Sequence, residues 1–419
     1  MSATHPNAIK LRDAIDKVNR GSLDVGDAFA PDVVWRIVGN HPLAGDYHGL
    51  DAWRDLMRRR AELTGGTYRP QPQTWLGSDR HVFCFLRLTA QRDDGRSIDT
   101  SHVAVFRMGE DGLAHEFWDV SSDQEVEDAF WAYGRVAERM IQANGVELCT
   151  EAFGDPADPP ILLVMSMGGS MLWWEEGFCR MLADGGRFVI RYDHRDTGRS
   201  VTYEPGQPGY TATDMIRDAV GVLDAYGIGT AHVVGVSMGG ALSQLLALDF
   251  PDRVASLVLI STSRALPGGP PLPSSTDEFG RFFATVEVDW SDPESVIAYL
   301  VDYSRVLKGE RPFDEAAARD LARRDVERAR DFAAARNHEL LADDEPPRGP
   351  LSSIAARTLV IHGTADPMFP PAHGEALAAE IADATLLVVE GAGHGLDRAD
   401  WDAVARAILE HTGADYSDE

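Results

Sequence analysis

The run Gly235-Val236-Ser237-Met238-Gly239-Gly240 sets one hydroxyl among glycines, after the apolar AHVV and before ALSQLLAL. This is a G-x-S-x-G arrangement between a strand and a helix, the setting in which that pentapeptide carries information. A serine on such a turn sits in a strained backbone, so side chains beside it must vanish; Gly235 and Gly239 meet that demand. A hydroxyl is a poor nucleophile unless a base takes its proton and an acid orients the base. VIHGTADPMFPP offers Asp366 just past a strand at 358–361, and VVEGAGHGL offers His394 between glycines after the last strand. The competing place for the acid, the end of the strand after the nucleophile helix, reads Ile260-Ser261-Thr262-Ser263 and has no carboxylate. Acyl transfer also needs two backbone N–H groups for the developing oxyanion. The expected donors are Met238, directly after the serine, and Met167 in the loop Ser166-Met167-Gly168-Gly169 after the first core strand. The chemistry implied is hydrolysis through an acyl-serine by Ser237, His394 and Asp366, with no cofactor. His194, in YDHRDTGRS, reads as part of a structural turn, and His362 as a packing residue at a strand exit. Trp173 and Trp174 are candidates for the substrate pocket, with core packing as the alternative.

The elements that must hold these residues alternate. ILLVM (161–165), RFVIRYD (187–193), AHVVGVS (231–237), SLVLIST (256–262), TLVIHG (358–363) and TLLVVEG (385–391) are short apolar runs. Helical stretches separate the first four, as at 212–226 and 239–249. That order predicts an α/β domain with a mainly parallel sheet covered on both faces. Residues 264–350 interrupt it, opening on LPGGPPLP and continuing as helical Arg/Ala/Asp-rich sequence, which predicts a helical lid.

The first third of the chain is patterned differently. Ile9, Leu11, Ile15, Val18, Leu23, Val25 and Phe29 recur at loose helical spacing, which predicts a helix, a turn near Gly21 and a second short helix. A strand at 33–39 and an amphipathic helix at 50–63 follow, then strand-like runs at 67–76, 81–92, 100–108 and 113–120 joined by hairpin turns. Helices followed by an antiparallel meander describe an α+β domain. Val126, Phe130, Tyr133, Val136 and Met140 recur at three- and four-residue spacing, which predicts a helical connector. The expected division is therefore a domain at 1–122, a connector at 123–143 and a second domain at 144–419.

Family resemblance sharpens both halves. From Gly145 to about Thr412 the chain resembles α/β-hydrolases, notably the aclacinomycin methylesterase-like group. The matching stretches are EAFGDPADPPILLVM, RMLADGGRFVIRYDHRDTGRS, AHVVGVSMGGALSQLLALDFPDRV, TLVIHGTADPMFP and GAGHGL. The resemblance implies cleavage of methyl esters, other esters or lactones. The loop MSMGGS departs from the group's commoner His-Gly start, and the lid diverges, so the substrate stays open. Residues 7–122 resemble the SnoaL-like polyketide cyclases, of the nuclear-transport-factor-like cone fold, on DVVWRIVGNHPLAGDYHGLDAWRDLM and VAVFRMGEDGLAHEFWDV. That resemblance implies a pocket for flat polycyclic molecules, in which an aspartate and a histidine move a proton. Candidate residues are Trp35, His41, His48, His102, Glu116, Trp118 and Asp119. Strand alternation puts Glu116 and Trp118 on one face and Phe117 and Asp119 on the other, so not all of them reach a cavity. A cyclase or isomerase activity in this cone is the alternative to ester hydrolysis, and a purely binding or dimerising cone is a third reading.

Composition bounds the partners. A net charge of −28, from 67 acidic and 39 basic residues, repels phosphate backbones and anionic membranes, so neither nucleic acid nor membrane is an expected partner. The partner that the resemblance implies is a small hydrophobic ester or lactone, such as a polyketide-type natural product. The cone is expected to dock on the hydrolase or to pair with another cone in a homodimer. Cys84, Cys149 and Cys179 are widely spaced and form no C-x-x-C pair, which fits a reducing cytoplasm. MSATHPNAIKLRD lacks the apolar run of a signal peptide. No H-E-x-x-H or Cys/His cluster has metal-ligand spacing.

Overall fold

The computed structural model describes residues 5–19, 26, 28–39, 41, 43–92, 95–131, 135–341 and 348–413. Its contacts divide the chain into two compact units, Met1–Gly134 and Arg135–Glu419.

The first unit runs α1 (Pro6–Asn19), β1 (Phe29–Ile37), β2 (Gly45–His48), α2 (Gly49–Leu63), β3 (Arg69–Gly77), β4 (His81–Gln91), β5 (Ser97–Met108), β6 (Ala114–Ser121) and α3 (Gln124–Trp131). Its six-stranded sheet has the order β2-β1-β6-β5-β4-β3, antiparallel except where β1 lies parallel to β6. Along β5 burial alternates with period two, turning Ile98, Thr100, His102, Ala104, Phe106 and Met108 inward. One apolar cluster gathers Leu11, Phe29, Trp35, Val82 and Phe106, and another gathers Ile37, Leu43, Leu56, Phe130 and Trp131. This is the SnoaL-like α+β cone. Phe29 opens β1 instead of continuing a second helix, while Leu23 and Val25 lie outside the described residues.

The expected connector helix at 123–143 is corrected. The helix stops at Trp131, and Arg135–Ala143 is a strand, β7, paired antiparallel with β8 (Val146–Phe153). Asn144 and Gly145 have φ of 47° and 78°, the left-handed pair that closes a two-residue hairpin. Period two wins here: Ile141 and Ala143 are buried while Met140 is 40 % exposed. The stripe therefore does not exist as one face; Val126 is exposed, Phe130 is buried and Tyr133 lies outside the described residues. Helix α3 belongs to the first unit and β7 to the second, so the division falls at 134/135.

The second unit continues with β9 (Pro160–Val164), α4 (Glu176–Asp184), β10 (Phe188–Tyr192), α5 (Ala212–Ala225), β11 (Ala231–Val236), α6 (Met238–Asp249) and β12 (Val254–Ile260). Next come α7 (Asp277–Thr285), α8 (Pro293–Leu307), α9 (Glu315–Arg328) and a 3-10 helix (Phe332–Leu340). The chain ends with β13 (Arg357–Gly363), α10 (Ala372–Glu380), β14 (Ala384–Val389) and α11 (Trp401–Gly413). The eight-stranded sheet has the order β14-β13-β12-β11-β9-β10-β8-β7, with β9 to β14 parallel. Its middle strands are continuous Val/Ile/Leu runs buried on both faces. Helices α5, α6 and α10 share an apolar layer with Leu162, Val233, Leu257 and Val360, and α4 and α11 pack together elsewhere on the sheet. This is the α/β-hydrolase fold. The insertion between β12 and β13 is helical as expected and has its own small core of Val296, Ile297, Leu300, Val301 and Ala322. No described helix is long and apolar enough to cross a membrane.

Candidate active site

Strand β11 is buried along its whole length and delivers Ser237 to the point where α6 begins. Ser237 has φ 54° and ψ −120°, a conformation that non-glycine residues adopt only under constraint. The constraints are visible. Its N–H donates to the Ile260 carbonyl at 3.0 Å, and its carbonyl accepts from the Thr262 hydroxyl at 2.7 Å. The flanking glycines are required by contact: a Cβ on Gly235 would meet the Gly239 carbonyl oxygen at 2.3 Å. One on Gly239 would meet the Val164 oxygen at 2.1 Å. The latter approach presses the first turn of α6 against the end of β9, so the loop carrying Met167 lies beside the turn carrying Met238.

Asp366 and His394 arrive on loops after β13 and β14. One carboxylate oxygen, Asp366 Oδ1, accepts the Met368 and Phe369 amides at 2.9 and 2.8 Å. The other, Oδ2, is 2.9 Å from His394 Nδ1, and His394 Nε2 is 2.9 Å from Ser237 Oγ. Burial works against the Asp366 charge, but His394 and the Phe369 amide hold its carboxyl below the usual range. The carboxylate can only accept, so Nδ1 carries the hydrogen and Nε2 offers its lone pair to the hydroxyl. The His394 backbone is fixed from the helical insertion, its N–H donating to the Leu307 carbonyl at the end of α8 at 2.8 Å. All three expected residues thus meet, across sequence separations of 157 and 28.

The remaining expectations divide. Met167 is half exposed in a turn closed by the Gly169 N–H on the Ser166 carbonyl, and Met238 opens α6. Trp174 is corrected: it is buried and stacks on Phe178 at 6.0 Å, so it is core and not pocket. Trp173 packs on the small core of the insertion and donates its indole N–H to Asp325 at 2.6 Å. Burial raises that Asp325 carboxyl to about 6. His362 is a packing residue, 2.7 Å from the Phe369 carbonyl. His194 is buried, with Nε2 on the Met165 carbonyl at 3.1 Å, and burial pushes its pKa down to about 3. Tyr303 of α8 was not legible in the sequence. Burial raises its phenol pKa, with the Tyr299 phenol and the Asp366 charge adding to the rise.

In the cone, Trp35 is wall, packed against Phe29, Trp53 and Phe117. Glu116 pairs with Arg107, and Trp118 lies under Arg36, both on the face opposite Phe117 and Asp119, so these two leave the candidate set. His48 is exposed. His41 is buried and accepts the Leu43 amide on Nδ1. His102 does meet Asp119, at 2.8 Å, within a buried group that includes Glu127 at 3.1 Å, Thr100 at 3.0 Å and Arg60, 3.5 Å from Asp119. Two cations then face two carboxylates. Burial opposes the imidazolium, but Asp119 and Glu127 raise His102 to about 9. Glu127 comes from α3, inside the stretch expected to be a connector. Among the described residues no group of three or more His, Cys, Asp or Glu is arranged to hold a metal ion.

Comparison with known proteins finds relatives of both halves of the chain. Residues 159–292 match the α/β hydrolase fold family, residues 339–411 the TAP-like protein family, and residues 11–117 the SnoaL-like domain family. Rhodomycin D methylesterase of Streptomyces sp. (strain C5) is 35 % identical over 292 residues, covering 66 % of this chain and 98 % of the relative. The rhodomycin D methylesterase of Streptomyces peucetius is 35 % identical over 295 residues with the same coverage. Among solved structures, a hydrolase from Pseudomonas aeruginosa PA01 aligns at 26 % identity and a TM-score of 0.51, covering 67 % of this chain and 99 % of that one.

Proposed function

We propose that this chain, which belongs to the α/β-hydrolase family and is a carboxylic ester hydrolase, works through an acyl-enzyme on Ser237. The observation that carries the proposal is the single imidazole of His394, 2.9 Å from both Ser237 Oγ and Asp366 Oδ2, with only Nε2 free to accept. His394 takes the hydroxyl proton as Oγ attacks the ester carbonyl carbon. The tetrahedral oxyanion rests on the Met167 and Met238 amides, at the positive end of α6. As the C–O bond to the alcohol breaks, His394 returns that proton to the leaving oxygen. Water then adds to the acyl-serine, giving its proton to His394, and collapse releases the acid and restores Ser237.

The relatives and the lid support a reading of the substrate class. Phe282, Tyr299 and Tyr303 lie nearly parallel, Tyr299 and Tyr303 at 5.8 Å and 7°, and Tyr303 feels the Asp366 charge. Such rings suit a flat aromatic acyl group, so we infer a methyl ester, or another ester or lactone, of a hydrophobic polyketide-type molecule. We read the His102 cluster of the cone as structural, because both ring nitrogens are already engaged by Thr100, Glu127 and Asp119. The test is a fluorophosphonate probe with mass spectrometry of the adduct, alongside p-nitrophenyl ester turnover. Ser237 should carry the label, and Ser237→Ala and His394→Ala should each lose about three or more orders of magnitude in rate. Native turnover by Ser237→Ala would move catalysis elsewhere, the cone included.

A further inference from the structure

The loop that carries Met167 is gripped from outside by two buried imidazoles. His194 holds its start through the Met165 carbonyl. His338 holds its far side: the Gly168 N–H donates to Nδ1 at 3.0 Å, while Nε2 lies 2.8 Å from the Arg195 carbonyl. A carbonyl can only accept and an amide N–H can only donate, so His338 is fixed as the neutral tautomer with its hydrogen on Nε2. Burial, which lowers its pKa, keeps it there. Both ends of this link are anchored. Arg195 makes a two-pronged pair with Asp218 at 2.7 and 2.8 Å. Next to His338, Asn337 donates to Asp196 and the Glu204 carbonyl and accepts the Gly206 amide. The whole 3-10 helix at the end of the lid is thereby locked onto the loop after β10.

We propose that His338 is a positioning residue for the oxyanion loop, setting the orientation of the Met167–Gly168 peptide and so of the donor beside it. This inference rests on the hydrolytic reading above. Gly168 has φ +69°, a Cβ there would find no atom nearer than 3.9 Å, and the Met167–Gly168 peptide is held by the turn's own Gly169 N–H on the Ser166 carbonyl at 3.3 Å and, from outside the turn, by this hydrogen bond. His338 touches no reacting atom. Its effect is to hold ready a group that acts only once the carbonyl becomes tetrahedral, so its loss should fall on kcat and spare KM.

The experiment uses the full chain with a p-nitrophenyl ester, measuring kcat, KM and the melting temperature. His338→Ala should lower kcat about ten- to a hundredfold with KM within about threefold, a part of the cost of losing one oxyanion donor. His338→Asn keeps an acceptor at the δ position but cannot reach Arg195. It should recover at least about fivefold of the lost kcat although its melting temperature falls as far as that of the alanine variant. If the alanine chain does not fold, His338→Gln takes its place, reaching Arg195 but not presenting its acceptor at the δ position, and kcat should stay low. A kcat within about twofold of native in His338→Ala, or equal losses in the Asn variant and its Ala or Gln comparator, overturns the inference while native activity stands. A native chain that neither turns over the ester nor labels at Ser237 sinks the hydrolytic reading, and this inference with it.

Discussion

Asp366→Asn replaces one oxygen with an NH2 group and should cost nearly as much activity as losing Ser237. The reason lies in which atoms already surround the carboxylate. One oxygen accepts two backbone amides at 2.9 and 2.8 Å, and these cannot become acceptors. The asparagine carbonyl must therefore turn toward Met368 and Phe369, leaving the NH2 facing His394 Nδ1. A donor there forces the imidazole hydrogen onto Nε2, where it points at Ser237 and blocks proton transfer. Restoring the productive tautomer means flipping the amide against two N–H groups. Two displaced hydrogen bonds at roughly 2 kcal/mol each amount to about three decades in kcat. Loss of the charge that stabilises the imidazolium takes this to about four, the size of the wrong-tautomer effect in triads of this kind. Because asparagine keeps the two amide contacts, the melting temperature should move by no more than about 2 °C. The assay is p-nitrophenyl ester turnover with a melting curve on the same sample. A variant retaining more than about a tenth of native kcat would show that Asp366 is not the orienting acid.

Two further outcomes follow from strain and charge. Ser237→Gly should abolish turnover yet stabilise the chain by about 1 kcal/mol, because glycine adopts φ 54°, ψ −120° without penalty; a lower melting temperature than native would refute the strain account. In the cone, His102 is raised from its ordinary 6.5 to about 9, so its charge stabilises the fold fully below about pH 6.5 and that contribution fades as pH rises through 9. At most roughly 3 kcal/mol is at stake. Urea melts from pH 6 to 10 should show the native chain losing more stability than His102→Gln, and parallel curves would refute the pairing.

Much of this was legible because it is local. Gly235-Val236-Ser237-Met238-Gly239, the apolar runs that became β9 to β14, and the two faces of β6 each reflect rules that act over a few residues: backbone sterics at a turn, and periods of two or 3.6. The acid and base could be chosen because each candidate stood just past a strand end, and the alternative strand end held no carboxylate. Where local rules compete, the reading failed. Residues 135–143 offered apolar spacing compatible with a helix, yet pairing with β8 across Asn144-Gly145 made them a strand.

What no local rule carries is which side chains meet after the chain has crossed the sheet. Trp174 became core because Phe178, four residues on in α4, stacks on a ring already buried from solvent. Glu127 joined His102 and Asp119 because α3 packs against β5 and β6. His338 stands 170 residues from the Gly168 amide it accepts. The sequence by itself determined the chemistry on offer: a serine, a base, an acid and a loop rich in backbone donors. Tertiary structure alone decided their distances and tautomers, because hydrogen bonds and burial depend on neighbours whose order along the chain carries no distance.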